Sequence, residues 1–308
     1  MRIWLLAITV VAAWCHGFAA NAQDRPRFEE ISIREAGIAA RLYLAPAASS
    51  KAAAVLMLGG SDGGYPSAKA AMDLANAGHP VLALAYFSGF SEKIDGLPER
   101  LESVPLEYTY RALDWMKRRW GATRALTVIG ESRGAELALL VASRRPEVDA
   151  IVAFSPSSVA WPAVGDMTGK IPAWTEGGLP VPFVDLPVAD PSRQFSDGLG
   201  DEQRANAASI PVEQSKAAVL LVSSRSDGIW PASQMADRIV ARLRSAGFRP
   251  PVLNLQYDDA SHLLMGPGPG LVHFTQGTFS VHFGGSEEGT LRARESAWEQ
   301  MKLFLAQL

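Results

Sequence analysis

Gly130-Glu131-Ser132-Arg133-Gly134 has the spacing G-x-S-x-G. A serine so placed fits a strand that turns sharply into a helix and throws the hydroxyl outward as a nucleophile. The flanking glycines leave room where side chains would clash. The helix that follows aims its first N–H groups at a developing oxyanion. The pattern occurs twice, because Gly59-Gly60-Ser61-Asp62-Gly63 also fits. Context separates the two. Leu126 to Ile129 reads as a strand and Ala135 to Ser143 as a helix, so Ser132 stands at the turn between them. After Ser61 come Gly63, Gly64 and Pro66, which delay any helix. Ser132 is therefore the expected nucleophile, and Ser61 the expected member of a neighbouring loop.

A serine nucleophile needs a base, and the base needs an acid to orient it. The strand Ala217 to Ser223 runs into Ser224-Arg225-Ser226-Asp227-Gly228. The strand Val252 to Tyr257 runs into Asp258-Asp259-Ala260-Ser261-His262. Asp227 is the expected acid and His262 the expected base, in the chain order Ser, Asp, His. Asp258 and Asp259 lie too near His262 in sequence to orient it. His79 precedes a buried strand and reads as structural; His273 and His282 fall in a Gly-rich stretch and read as surface residues. The oxyanion donors are expected to be the N–H of Arg133 and an N–H from the loop after Leu58, with Ser61 first and Gly60 next. The Arg133 side chain is expected to be solvated or ion-paired, with a substrate anion as the competing partner. No cofactor and no metal is called for. The glycine loop lacks the Lys-Ser/Thr ending of a phosphate cradle and the G-x-G-x-x-G of a dinucleotide site.

The elements that must carry these residues alternate. Strands are expected at Ile31 to Ile33, Ala39 to Leu44, Ala53 to Leu58, Val81 to Tyr86, Leu126 to Ile129, Ala150 to Phe154, Ala217 to Ser223 and Val252 to Tyr257. Helices are expected at Ser67 to Ala77, Pro105 to Trp120, Ala135 to Ser143, Ala232 to Ser245 and Leu291 to Gln307. Short, wholly apolar strands separated by helices indicate an α/β fold with a mainly parallel sheet flanked by helices. Residues 156–215, after the sixth strand, break the rhythm with prolines and aromatics and read as an insertion or lid. Trp161, Trp174 and Phe183 from it, with Trp230, are the expected walls of a substrate pocket.

Composition narrows the function classes. The chain has 308 residues, 48% of them hydrophobic and 20% charged, with net charge −3 and one Cys. That excludes a disordered chain and a disulfide scaffold, and argues against a polybasic nucleic-acid binder. Arg2, the apolar run Ile3 to Ala13 and Ala20-Asn21-Ala22 read as a secretory signal peptide over residues 1–22, with an uncleaved anchor as the competing reading. Cleavage would remove Cys15, leave no thiol nucleophile and no membrane span, and place the protein in a periplasm or outside the cell.

Taken together, these motifs resemble the C-terminal catalytic domain shared by acyl-CoA thioesterases and bile acid-CoA:amino acid N-acyltransferases. The resemblance rests on Leu58-Gly59-Gly60-Ser61, Val81 to Phe87, Gly130 to Ser143, Ser155 to Val159, Ile171-Pro172-Ala173-Trp174, Ile210 to Glu213, Asp227-Gly228-Ile229-Trp230-Pro231 and His262-Leu263. It implies an α/β-hydrolase fold with a Ser or Cys nucleophile. Ser132 matches the hydrolytic form, whereas the acyltransferases carry Cys there. Animal members add an N-terminal β-sandwich, for which residues 23–50 are too short, so one hydrolase domain is expected over 23–308. The expected activity is hydrolysis of a small-molecule acyl ester or thioester. Amide, peptide or lactone hydrolysis on the same fold is the alternative, and a non-catalytic binder the third reading.

Overall fold

The computed structural model describes residues 27–308 apart from 32–35, 45–51, 90–92, 122–123, 186–189, 191–192 and 278. The signal segment and Cys15 lie outside the described residues. The first half of the chain runs β1 (Arg27–Ile31), β2 (Ala39–Leu44), β3 (Ala54–Leu58), α1 (Ala68–Asn76), β4 (Val81–Ala85), β5 (Val104–Pro105), α2 (Leu106–Trp120), β6 (Leu126–Glu131), α3 (Arg133–Ala142) and β7 (Ala150–Phe154). The second half runs β8 (Trp174–Glu176), β9 (Leu179–Pro180), α4 (Gln194–Gly200), α5 (Glu202–Ala207), β10 (Ala218–Ser224), α6 (Ala232–Ser245), β11 (Val252–Tyr257), β12 (His273–Gln276), β13 (Phe279–His282) and α7 (Glu287–Leu305).

Eight strands form one sheet in the order β1-β2-β4-β3-β6-β7-β10-β11. Only β1–β2 and β2–β4 pair antiparallel. Alternate side chains of each parallel strand feed opposite faces, as the two-residue strand period requires. Leu56, Val128, Ile151 and Leu221 pack under α2, α3 and α6. Met57, Ile129, Val152 and Leu220 pack under α1 and α7, where Trp298 meets Phe154. Both faces are buried, which is why β3, β4 and β7 are apolar throughout and β10 is apolar up to Ser223.

The first strand is Arg27–Ile31, and residues 32 and 33 of the expected strand lie outside the described residues. The nucleophile helix begins two residues earlier than expected, because Ser132 is itself the residue that precedes the first helical turn. Between β7 and β10 the chain carries β8, β9, α4 and α5, and β8 pairs with β5 just before α2. The Gly-rich stretch holds a hairpin, β12–β13, that periodicity did not suggest. Among the described residues no helix is long and apolar enough to cross a membrane.

Candidate active site

Sheet order puts the C-terminal ends of β6, β10 and β11 on one side of the molecule, and three of the expected residues follow those ends. Ser132 takes φ 57° and ψ −121°, a conformation L-residues rarely adopt, and sits between β6 and α3. Its N–H donates to the Phe154 carbonyl at 2.9 Å. The glycines of the motif are sterically required. A Cβ on Gly130 would overlap the backbone of Gly134, and a Cβ on Gly134 would overlap the carbonyl of Gly59. Such strain persists only where its surroundings enforce it.

Asp227 follows β10 and His262 follows β11. His262 Nδ1 and Asp227 Oδ2 are 2.8 Å apart, with both side chains buried. Asp227 Oδ1 accepts from the N–H groups of Ile229 and Trp230 at 2.8 and 3.1 Å, so the carboxylate is fixed on both oxygens. Burial works to lower the His262 pKa, but the charge and hydrogen bond of Asp227, with a smaller contribution from Glu131, outweigh it and raise the pKa above 6.5. Ser132 and His262 share no hydrogen bond in this structure. Such contacts in free enzymes are commonly long and tighten when substrate binds.

Backbone contacts fix the two loops against each other. The Phe283 carbonyl, just past β13, accepts from Gly228 N at 2.9 Å and from His262 N at 2.8 Å. Ser155 Oγ donates to the His262 carbonyl at 2.6 Å. Gly284 has φ 86°, and a Cβ there would overlap the Ser226 carbonyl. The Gly-rich stretch thus touches both members of the Asp–His pair. Sequence reasoning missed this, and the paired glycines at 284 and 285 were the available signal.

The loop after β3 faces the serine. A Cβ on Gly60 would lie 3.5 Å from Ser132 Cβ. Tyr86 Oη donates to the carbonyls of Gly59 and Gly60 at 2.6 and 3.3 Å, turning their oxygens away. Arg133 is the first residue of α3, where an N–H has no partner within the helix. Its side chain is buried and meets Glu136, 2.9 Å between Nη1 and Oε2. It also donates to the carbonyls of Trp161 and Pro162. The guanidinium is therefore committed within the protein.

The four expected pocket aromatics divide. Trp174 is buried against Tyr86 and donates to Glu136 Oε1 at 2.5 Å. Phe183 packs on the same core. Trp161 and Trp230 lie in a separate cluster, joined through Phe195 by edge-to-face contacts with centroids 4.8 and 5.4 Å apart. Trp230 then meets the His262 ring at 5.4 Å. The four aromatics thus fall into two groups, Trp174 with Phe183 and Trp161 with Trp230. A cavity of about 190 Å³ beside α6 is lined by Ser158, Asn206, Arg238 and Arg242 among others, and by none of Ser132, Asp227 and His262.

The rival residues are engaged elsewhere. His79 is buried with Nδ1 3.0 Å from the Ala53 carbonyl. His273 and His282 are exposed and face each other across the hairpin. Asp258 pairs with Arg225, and Asp259 accepts from Ser286.

Residues 104–308 match the family model described as "BAAT / Acyl-CoA thioester hydrolase C terminal". The chain belongs to this family. Human acyl-coenzyme A thioesterase 6 is 26% identical over 304 residues, covering 93% of this chain and 67% of that protein. Mouse bile acid-CoA:amino acid N-acyltransferase is 26% identical over 293 residues, covering 92% and 66%. The chain thus spans about two thirds of the length of these relatives. A puromycin-hydrolyzing peptidase of Mycobacterium tuberculosis shares the fold, with TM-score 0.59 at 15% identity over 92% of this chain and 39% of that one. Family and fold together make the protein a hydrolytic enzyme with the α/β-hydrolase fold.

Proposed function

We propose that this family member is an exported serine hydrolase that cleaves an acyl ester or thioester through Ser132, His262 and Asp227. The observation that carries the reading is the buried Asp227–His262 pair, 2.8 Å apart, on the same side of the sheet as a serine in a strained strand–helix turn. Ser132 Oγ attacks the acyl carbonyl while His262 accepts its proton. Asp227 holds the imidazole and stabilises the imidazolium. The N–H groups of Arg133 and of Ser61, with Gly60 beside it, take the oxyanion. The tetrahedral intermediate collapses as His262 returns the proton to the leaving thiol or alcohol. Water, activated by the same histidine, then releases the acid. The names of the curated relatives support a thioester, and a serine rather than a cysteine at position 132 supports water as the acceptor. Export rests on residues 1–22 of the sequence.

The test is labelling with a fluorophosphonate, followed by hydrolysis of matched thioester, oxygen-ester and amide substrates. Expected are an adduct on Ser132 and thioester or ester cleavage that Ser132→Ala abolishes. A folded protein that takes no label overturns the proposal. Preferential amide cleavage would keep the triad and overturn the substrate class.

A further inference from the structure

Glu131 fills a variable position of the nucleophile motif and ends β6. Its Oε1 accepts from Leu264 N and from Met265 N, each at 2.7 Å. Those residues stand two and three places beyond His262. Arg294, from α7, holds the same segment by its carbonyls. It donates to Leu263 O from Nη1 at 2.9 Å, to Met265 O from Nη2 at 2.9 Å and to Gly266 O from Nε at 3.0 Å. The segment after the histidine therefore has N–H groups on a carboxylate and carbonyls on a guanidinium. It has no helix or strand ladder of its own, so these bonds set its course.

A neutral amide in place of Glu131 could accept the same two N–H bonds, so the charge at 131 calls for a separate reason. The groups facing the His262 ring are Asp227 from the loop after β10, Glu131 from β6 and the neutral Trp230 from the start of α6. The groups facing Glu131 are Arg294 from α7 and His262 itself. Burial pushes the Glu131 carboxyl above its usual range, and Arg294, the two N–H bonds and His262 offset part of that rise. Burial likewise lowers the Arg294 pKa, against the attraction of Glu131. Taking a carboxylate partly out of water is costly unless a cation and hydrogen bonds offset it, and this one has both.

We propose that Glu131 and Arg294 are paired positioning residues for the reaction: together they hold residues 263–266 so that His262 faces Ser132, and the Glu131 charge stabilises the imidazolium that forms there. The proposal rests on the serine-hydrolase reading. In the step concerned, the Ser132 O–H bond breaks, the proton passes to His262 Nε2, and Oγ bonds to the acyl carbon. The carbonyl π pair moves to the oxyanion. The new positive charge on the ring is attracted by both Asp227 and Glu131. The same charge is lost when the proton goes to the departing thiol or alcohol.

The experiment uses the whole protein with Glu131→Gln and Arg294→Lys. Glu131→Gln keeps an acceptor for the two N–H groups and removes the charge. Its His262 ring, followed by NMR without substrate, is expected to titrate at lower pH than in wild type. The acid limb of kcat/KM is expected to move the same way. kcat near neutral pH should fall roughly tenfold, the effect of about 1.4 kcal/mol on the barrier. Arg294→Lys keeps the charge and loses the fork. It is expected to lower kcat with the titration of His262 unchanged. Unchanged titration in Glu131→Gln, or unchanged kcat in Arg294→Lys, overturns the proposal. Should Glu131→Gln fail to fold, Glu131→Asp keeps the charge on a shorter stem; there a shifted titration or an unchanged kcat overturns it. The NMR readout needs no substrate, so a wild type that neither labels nor hydrolyses would sink the hydrolase reading and leave this coupling separately measured.

Discussion

Arg133 and Glu136 form an ion pair in the first turn of the nucleophile helix, 2.9 Å between Nη1 and Oε2, with both side chains out of solvent. Glu136 Oε1 also accepts from Trp161 N and Trp174 Nε1. One pair thus ties α3 to the segment between β7 and β10. Removing one partner strands a buried charge, so Arg133→Met is expected to destabilise the fold by about 3–5 kcal/mol. The backbone N–H survives the change, and the folded fraction should keep most of its activity. Urea melts and kcat on the same samples check this, and activity lost without instability would contradict it.

In the proposed mechanism the protonation of His262 sets the acid limb. The ring must be neutral to accept the serine proton, and Asp227 holds its pKa above 6.5 against burial. kcat/KM is therefore expected to rise with pH through a midpoint above that value. Asp227→Asn should move the midpoint down and lower kcat about 10⁴-fold. The sign for stability is the opposite. A raised histidine pKa contributes stability that is complete below 6.5 and lost as pH rises through the folded-state value. Melts of wild type and His262→Gln across that window should converge toward alkaline pH.

Gly284 has φ 86° and no room for a Cβ against the Ser226 carbonyl. Gly284→Ala is expected to cost about 1–3 kcal/mol and to slow Ser132 labelling by disturbing the Asp227 loop. Gly177, with φ 58° and open space, is the control. Gly177→Ala should leave the labelling rate unchanged. Equal labelling rates in the two variants would refute the role given to Gly284.

Trp230 places its ring edge-to-face on His262, with centroids 5.4 Å apart. Such contacts are worth about 0.5–1.5 kcal/mol. Trp230→Phe is expected to keep kcat within several-fold, and Trp230→Ala to lower it further by freeing the imidazole. Steady-state kinetics on both variants decides, and equal values would show the ring to be passive.

The α/β alternation and the strained strand–helix turn at Ser132 were legible in the sequence, because each depends on short-range physics. Strand and helix periods fix which faces are buried, and a strained turn between close-packed backbones admits only glycine at positions 130 and 134. The β12–β13 hairpin was not legible and β1 was legible only at its Ile31 end, since exposed or edge strands lack an apolar run. Nor could the sequence tell that Trp174 bonds to Glu136, or that the Phe283 carbonyl spans the loops of Asp227 and His262. Those contacts join segments far apart in the chain, as do the bonds from Glu131 and Arg294 to residues 263–266. The sequence determined which side chains could do chemistry and in what order they occur. Only the tertiary structure decided how they are held, because a backbone carbonyl or a partly buried charge gains its partner only when the chain closes around it.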